Sequence, residues 1–185
     1  MSRQLPTIHT RRLLIRPFTL DDAGTYHRVI NDDPDVMRYL PGGVPVPLEH
    51  SINTLRYFIE HGQQRGFSFM AVTNHLDGAL MGHVGLHQLS DAVEVGYALG
   101  KAYWGQGYAT ESAQALLHFG FAHLQLPEII ALAYAANTAS RRVMERLGMH
   151  FVGETERYYQ TRLVLYRLAR AEFTAPSDEY RVIFA

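Results

Sequence analysis

Val93-Glu94-Val95-Gly96-Tyr97-Ala98-Leu99 runs directly into Gly100-Lys101-Ala102-Tyr103-Trp104-Gly105-Gln106-Gly107-Tyr108-Ala109-Thr110. The first seven residues alternate as a strand does. Val93, Val95, Tyr97 and Leu99 share one face, and Glu94, Gly96 and Ala98 share the other. A carboxylate beside two very small side chains suits a ligand-lined face, because small residues let a substrate approach the backbone. A solvent-facing strand with one ordinary glutamate gives the same pattern. The glycine-rich turn shifts the balance toward a ligand. A strand that enters Gly105-x-Gly107 and then a helix exposes backbone N–H groups at a helix N-terminus, where they and the helix dipole favour a pyrophosphate. No lysine follows in the Walker position and GxGxxG is absent, so neither a triphosphate loop nor a dinucleotide fingerprint is present. A lone GxG also makes plain turns.

Working outward, apolar residues at Ala109, Ala113, Leu116, Leu117 and Phe121 continue the glycine segment as a helix. Glu128 to Tyr134 reads as a buried strand. Asn137 to Leu147 reads as a short helix closed by Gly148 in a left-handed cap, and Phe151 to Tyr159 and Leu163 to Ala171 as two further strands. Upstream, Phe67 to Thr73, Leu80 to Leu89 and Ala92 to Leu99 are three strands separated by turns at Asn74 with Asp77-Gly78 and at Ser90-Asp91. Arg12 to Arg16 is an opening strand. Thr19 caps a helix running to about Val29. Asn31 to Pro47 is a loop region with a short turn of helix at Val36 to Leu40, and Leu48 to His61 is a second helix. This order predicts a mixed α/β sheet with helices on its faces.

The chain has 185 residues, 47% hydrophobic and 19% charged, with a formal net charge of -1. One domain of ordinary size with a sizeable core fits these numbers, here spanning 1–185 with its core at about 10–173 and a tail at 174–185. Near-neutral charge gives no large basic field, so no nucleic-acid partner is expected. With no cysteine in the sequence, disulfides, thiolate metal sites and cysteine nucleophiles are excluded. Neither a signal-peptide stretch nor a membrane span is apparent, so a cytoplasmic protein without a membrane partner is expected. The ten histidines show no HExxH spacing, and no metal is expected. His83 and His87 alternate onto one strand face, but four strand residues span roughly 13 Å, too far for a local metal-chelating pair.

EVGYALGKAYWGQGYATES, NTASRRVMERLGMHFVGE and TRRLLIRPFTLDDA together resemble the GNAT superfamily of N-acetyltransferases, and within it the branch of the ribosomal-protein alanine N-acetyltransferases. The likeness runs from about Thr10 to about Phe173. It implies a central, mostly antiparallel twisted sheet with helices on both faces and a splayed parallel strand pair at the coenzyme A site. It also implies acetyl-CoA as co-substrate and transfer of an acetyl group to a primary amine. The family's pyrophosphate loop, Gln/Arg-x-x-Gly-x-Gly/Ala, falls on Trp104, Gly105, Gln106, Gly107, Tyr108 and Ala109, with Thr110 following. Trp104 departs from the usual Gln or Arg, a change that backbone-mediated phosphate binding tolerates. The same resemblance pairs the backbone of Tyr97, Ala98 and Leu99 with the pantetheine arm, like an added strand. It places Asn137 against the pantetheine, where the residue also serves as a helix N-cap. A homodimer is among the assemblies it implies. The apolar run Tyr180 to Ala185 is expected to pack on the domain or against a second subunit.

Acetyl transfer from a thioester to an amine needs a neutral amine, a polarised carbonyl and a proton for the leaving thiolate. Glu94 is the candidate general base, with a pKa raised by burial, and a backbone N–H on the Tyr97 strand the candidate oxyanion donor. Many family members carry a tyrosine as acid in the helix after the asparagine. Here that position is Met144, which has no proton to give. Ser140, one helical turn earlier, is the candidate donor, with solvent as the other source. His83 and His87 follow Glu94 in line as bases. Tyr134 and Tyr166 are assigned to strand packing ahead of an acceptor pocket. The acceptor is read as a protein or peptide N-terminus, with a small amine (polyamine, amino acid or antibiotic) as the alternative within enzymes. A non-catalytic acyl-CoA-binding module is the alternative outside them.

Overall fold

The structure, a computed structural model, describes residues 4–175 and 180–184. Among these, nine strands form one sheet: β1 (Thr7–His9), β2 (Leu13–Arg16), β3 (Phe69–Asn74), β4 (Leu80–Gln88), β5 (Val93–Leu99), β6 (Glu128–Ala133), β7 (His150–Thr155), β8 (Leu163–Ala169) and β9 (Arg181–Ile183). Their order across the sheet is β7-β8-β6-β5-β4-β3-β2-β1-β9. Every neighbouring pair is antiparallel except β5 and β6. These run parallel and pair at one register position, Glu94↔Ile130. The expected mixed, mostly antiparallel sheet with a parting parallel pair is therefore present.

Helices cover both faces. On one lie α4 (Tyr108–His118) and α5 (Thr138–Arg146). They bury Ala113, Leu116, Leu117 and Met144 against Leu13, Ile15, Val84, Leu86, Val95 and Ile129. On the other lie α1 (Ala23–Tyr26) and α3 (Leu48–Arg65), burying Tyr26, Leu55 and Phe58 with Phe18 and Ala71. Full burial of a large apolar side chain stabilises by roughly 1.5–3 kcal/mol, so these two clusters fix the helices to the sheet and thereby aim the loops between them.

Several boundaries differ from the sequence expectation. The helix expected from Thr19 to Val29 is a short 3-10 turn (Leu20–Asp22), then α1, then a π turn (His27–Asn31). Asp22 anchors its start, accepting from Thr19 N–H at 2.9 Å and pairing with Arg16 at 2.7 Å. The short helix expected at 36–40 is α2 (Pro34–Met37), set two to three residues earlier because the Asp33 carboxylate caps Asp35 N–H at 2.8 Å. α3 runs on past His61 to a left-handed Gly66. β7 ends at Thr155, so the residues up to Tyr159 form a loop and not a continuing strand. β1 was not foreseen. It pairs with β9, which belongs to the tail, at Thr7↔Ile183, Ile8↔Val182 and His9↔Arg181. The tail thus packs on its own chain. Residues 176–179 and Ala185 lie outside the described residues. No helix among the described residues is long and apolar enough to cross a membrane.

Candidate active site

The glycine loop opens α4 as the sequence suggested. Gly107 is the helix N-cap and sits at φ 82°, and Gly105 sits at φ 72°, left-handed positions that side chains disfavour. A side chain added at Gly105 would meet no atom within 4 Å, so the backbone there faces open space. The first N–H groups of a helix lack intrahelical acceptors. Beside them the Thr110 hydroxyl is buried without a hydrogen-bond partner. Free amides, a helix N-terminus and an orphaned hydroxyl converge on one loop, and this fits a pyrophosphate. Arg12, read from sequence only as a strand residue, braces the loop. It donates to Gln106 O at 2.9 Å, pairs with Glu111 at 2.6 Å and lies 4.2 Å over the Tyr108 ring. Thr10 and the Arg12 amide complete the hold on Glu111 at 2.6 and 2.9 Å. This neutralises a carboxylate that would otherwise oppose an anion at the helix start.

The parting of β5 from β6 leaves backbone groups for a ligand. Gly100 N–H donates to Met81 O at 2.8 Å, so the even-numbered residues turn their amides toward β4. By strand alternation Tyr97 and Leu99 turn theirs toward the opening. Leu99 O is already taken by the Trp104 indole N–H at 2.7 Å, which gives the residue at the unusual loop position a structural task. Across the opening, Asn137 caps α5 by accepting from Ser140 N–H at 3.1 Å. This uses its carbonyl oxygen and leaves its amide N–H₂ to donate elsewhere. The Tyr97 hydroxyl donates to Ser140 O at 3.0 Å and lies 3.1 Å from Ser140 Oγ. Its single proton is thus committed, so Ser140 Oγ–H is the donor of the second contact. Two hydroxyls therefore meet where one was expected. Burial pushes the Tyr97 phenol up, so both carry protons. Met144, 2% exposed, is a core residue.

Glu94 stands at the register position where β5 and β6 part. It is 6% exposed, and burial pushes its carboxyl up to about 7, opposed by a hydrogen bond from Tyr159. That hydroxyl donates to Glu94 Oε2 at 2.6 Å. His87 is directly across on β4. Its Nδ1 lies 3.3 Å from the Tyr159 hydroxyl and its Nε2 2.9 Å from that of Tyr57. The His61 ring packs on His87 at 5.4 Å. Glu94 is thus a buried carboxyl held by Tyr159 beside His87, with Tyr57 and His61 packed behind the imidazole.

The ligand-lined face suggested by Gly96 and Ala98 is not what the structure holds. The Phe69 ring occupies the space over Gly96, where an added Cβ would come within 2.8 Å of it, and Ala98 packs against the α1/α3 cluster. Small residues here admit the protein's own aromatic side chain. His83 is buried against Tyr26 at 3.0 Å and is pushed down to about 4 by desolvation, which makes it a core histidine. Tyr166 is likewise packing, holding Arg141 and Glu145 through its hydroxyl at 3.2 Å each. Tyr159 was missed as the partner of Glu94, and Tyr57 and His61 as partners of His87. The Ser90-Asp91 turn carried a usable signal for His87, since counting back from it places His87 opposite Glu94.

A mixed sheet parted at one parallel strand pair, with helices on both faces, is an architecture shared with solved acetyltransferases. The acetyltransferase (GNAT) domain family matches residues 12–150, and the chain belongs to that family. It is 31% identical over 148 residues to the uncharacterized N-acetyltransferase YnaD of Bacillus subtilis, covering 79% of this chain and 84% of that relative. Among solved structures, a GNAT-family acetyltransferase from Bacillus anthracis superposes with a TM-score of 0.78 at 31% identity, over 90% of this chain and 99% of the other. The ribosomal-protein-S5-alanine acetyltransferase from Vibrio fischeri shares the fold at TM-score 0.75 and 18% identity, over 91% and 98%. The chain is therefore an acetyltransferase of a family that draws on acetyl-CoA.

Proposed function

We propose that this protein transfers the acetyl group of acetyl-CoA to a single primary amine of the peptide N-terminus type, with Glu94 as general base. The observation that carries the proposal is the placement of a buried carboxyl, raised to about 7, at the point where β5 and β6 separate. A base of that pKa is half ionised near neutrality and matched to an ammonium proton. Its partner Tyr159, and His87 beside it with Tyr57 and His61, bring no second carboxylate. One ammonium group is matched there, whereas the several charges of a polyamine are not.

The amides and hydroxyl of Gly105 to Thr110, with Trp104 and Gln106 shaping the loop, would hold the pyrophosphate. The backbone of Tyr97 to Leu99, through the Leu99 amide and the Tyr97 carbonyl, with the Asn137 amide opposite, would hold the pantetheine. When bound, acetyl-CoA supplies the activated acetyl thioester. Glu94 takes the ammonium proton and frees the amine lone pair. The Tyr97 backbone N–H is the candidate to polarise the carbonyl. The Ser140 hydroxyl, turned from Tyr97 to the sulfur, is the candidate to protonate the leaving thiolate, with the Tyr97 hydroxyl beside it passing a proton to Ser140 Oγ and recovering one from solvent. Thioester consumption measured against a panel of alanine- and serine-terminated peptides, spermidine, free amino acids and an aminoglycoside tests the acceptor. Turnover of peptides above the others is expected, and preference for spermidine or the aminoglycoside would overturn it.

A further inference from the structure

Tyr159 donates its only proton to Glu94 Oε2 at 2.6 Å. Toward its other neighbour, His87 Nδ1 at 3.3 Å, the phenol oxygen can then only accept. This requires the proton of the neutral imidazole to sit on Nδ1, with Nε2 bare. The Tyr57 hydroxyl, 2.9 Å from Nε2, is then the donor to it. Each assignment forces the next, and the chain has one polarity: Tyr57 O–H to His87 Nε2, His87 Nδ1–H to Tyr159 O, Tyr159 O–H to Glu94 Oε2. It ends on one carboxylate oxygen. Oε1 carries no hydrogen bond among the described residues.

The backbone points the same way. Tyr159 and Gln160 occupy φ 57° and 51°, two consecutive left-handed residues without glycine, which is unfavourable. The β7–β8 pairing has ended at Thr155↔Leu163, so the ladder does not impose this. Burial does not either, since Tyr159 is 46% exposed. What the strained turn achieves is the delivery of one hydroxyl to Glu94.

We infer that Tyr159, oriented by the Nδ1–H tautomer of His87, is a positioning residue of the base: it holds Oε2, favours the carboxylate and leaves Oε1 to meet the ammonium. This rests on Glu94 being the base. The groups facing the cluster are Tyr57, His61 and Arg65 from α3, His87 from β4, Tyr97 from β5 and Tyr159 from the β7–β8 loop. Desolvation, then His61 and Arg65, push His87 down to about 4, so it is neutral where the enzyme works. Desolvation of its hydroxyl end, then the charge of Glu94, push the Tyr159 phenol up although the residue as a whole is half exposed, so it keeps its proton.

Two measurements on the free protein test this without any acceptor. In ¹⁵N-resolved imidazole spectra at pH 8, His87 should show a protonated Nδ1 and a bare Nε2. The opposite tautomer would overturn the inference. Following the Glu94 carboxyl by ¹³C shift, Tyr159→Phe should raise its pKa by roughly one unit, from loss of a hydrogen bond to a charged group. An unmoved titration in a folded variant would overturn the positioning role even if Glu94→Gln is slow. A Glu94→Gln enzyme with the wild-type pH–rate profile would instead remove the base on which the inference stands.

Discussion

Replacing Glu94 by glutamine tests the site through two independent quantities. Burial moves this carboxyl from its ordinary 4.5 to about 7, a change worth about 3 kcal/mol. The folded chain therefore binds this proton more tightly than the unfolded chain does. That contribution to stability is fully present below pH 4.5 and is lost as pH rises through 7. Glutamine is isosteric and neutral, so Glu94→Gln should lose less stability than the wild type between pH 5 and 8, by up to about 3 kcal/mol. Urea unfolding at the two pH values measures this. For catalysis, the wild-type kcat should carry an acid limb near pH 7. The variant should be slower by about 10²–10⁴-fold at neutral pH. Its rate should then climb with the free amine, roughly 6- to 10-fold between pH 7 and 9 for a peptide α-amine ordinarily near 7.7–8.0, while the wild type only about doubles, so the deficit shrinks roughly 3- to 5-fold. Equal stability slopes would refute the buried, proton-holding carboxyl. An unchanged pH–rate profile would refute the base.

Gly107→Val puts a branched side chain at φ 82° in the loop, so coenzyme A affinity by calorimetry should fall at least roughly tenfold; unchanged affinity would dismiss this loop as the phosphate site. Ser140→Ala should lower kcat by about 10²–10⁴-fold if it donates to sulfur, most visibly when expulsion of the thiolate limits the rate. Tyr97→Phe should cost only about 1 kcal/mol of stability and a smaller share of kcat, and the reverse ranking would make Tyr97 the donor. Deleting residues 180–185 removes the β9–β1 pairing and the Tyr180–Gln114 contact at 3.2 Å. A stability loss of about 1–3 kcal/mol in urea is expected, and an unaltered midpoint would show the tail to be dispensable. His83, pushed down to about 4 by desolvation, supplies stability that is present above pH 6.5 and lost as pH falls toward 4. His83→Leu should therefore flatten acid unfolding in that window, and an unchanged acid profile would argue against a buried neutral imidazole.

Local chemistry made much of this protein readable from its residues alone. Alternation located β5, the Gly105-x-Gly107 spacing located the start of α4, and Asn137 and Gly148 marked the ends of α5. These features depend on periods of two and 3.6 residues and on the few side chains that tolerate caps and left-handed turns, all of which act within a handful of neighbours. Glu94 stood out for a similar reason, as the one carboxylate in an otherwise apolar, small-residue strand. Its environment, however, comes from elements far apart in sequence. Tyr57 and His61 arrive on α3, His87 on β4, and Tyr159 on a loop read from sequence as strand. The three-residue strand β1 was invisible because its pairing with β9 spans nearly the whole chain. Arg12 gives no local sign that it braces a helix start about a hundred residues later. Gly96 misled for the same reason: a missing side chain is legible in sequence, but what fills the space is decided by packing, and here that is Phe69. Sequence fixes what each segment prefers, while desolvation, hydrogen-bond polarity and the partners of a buried charge depend on which segments the sheet brings together.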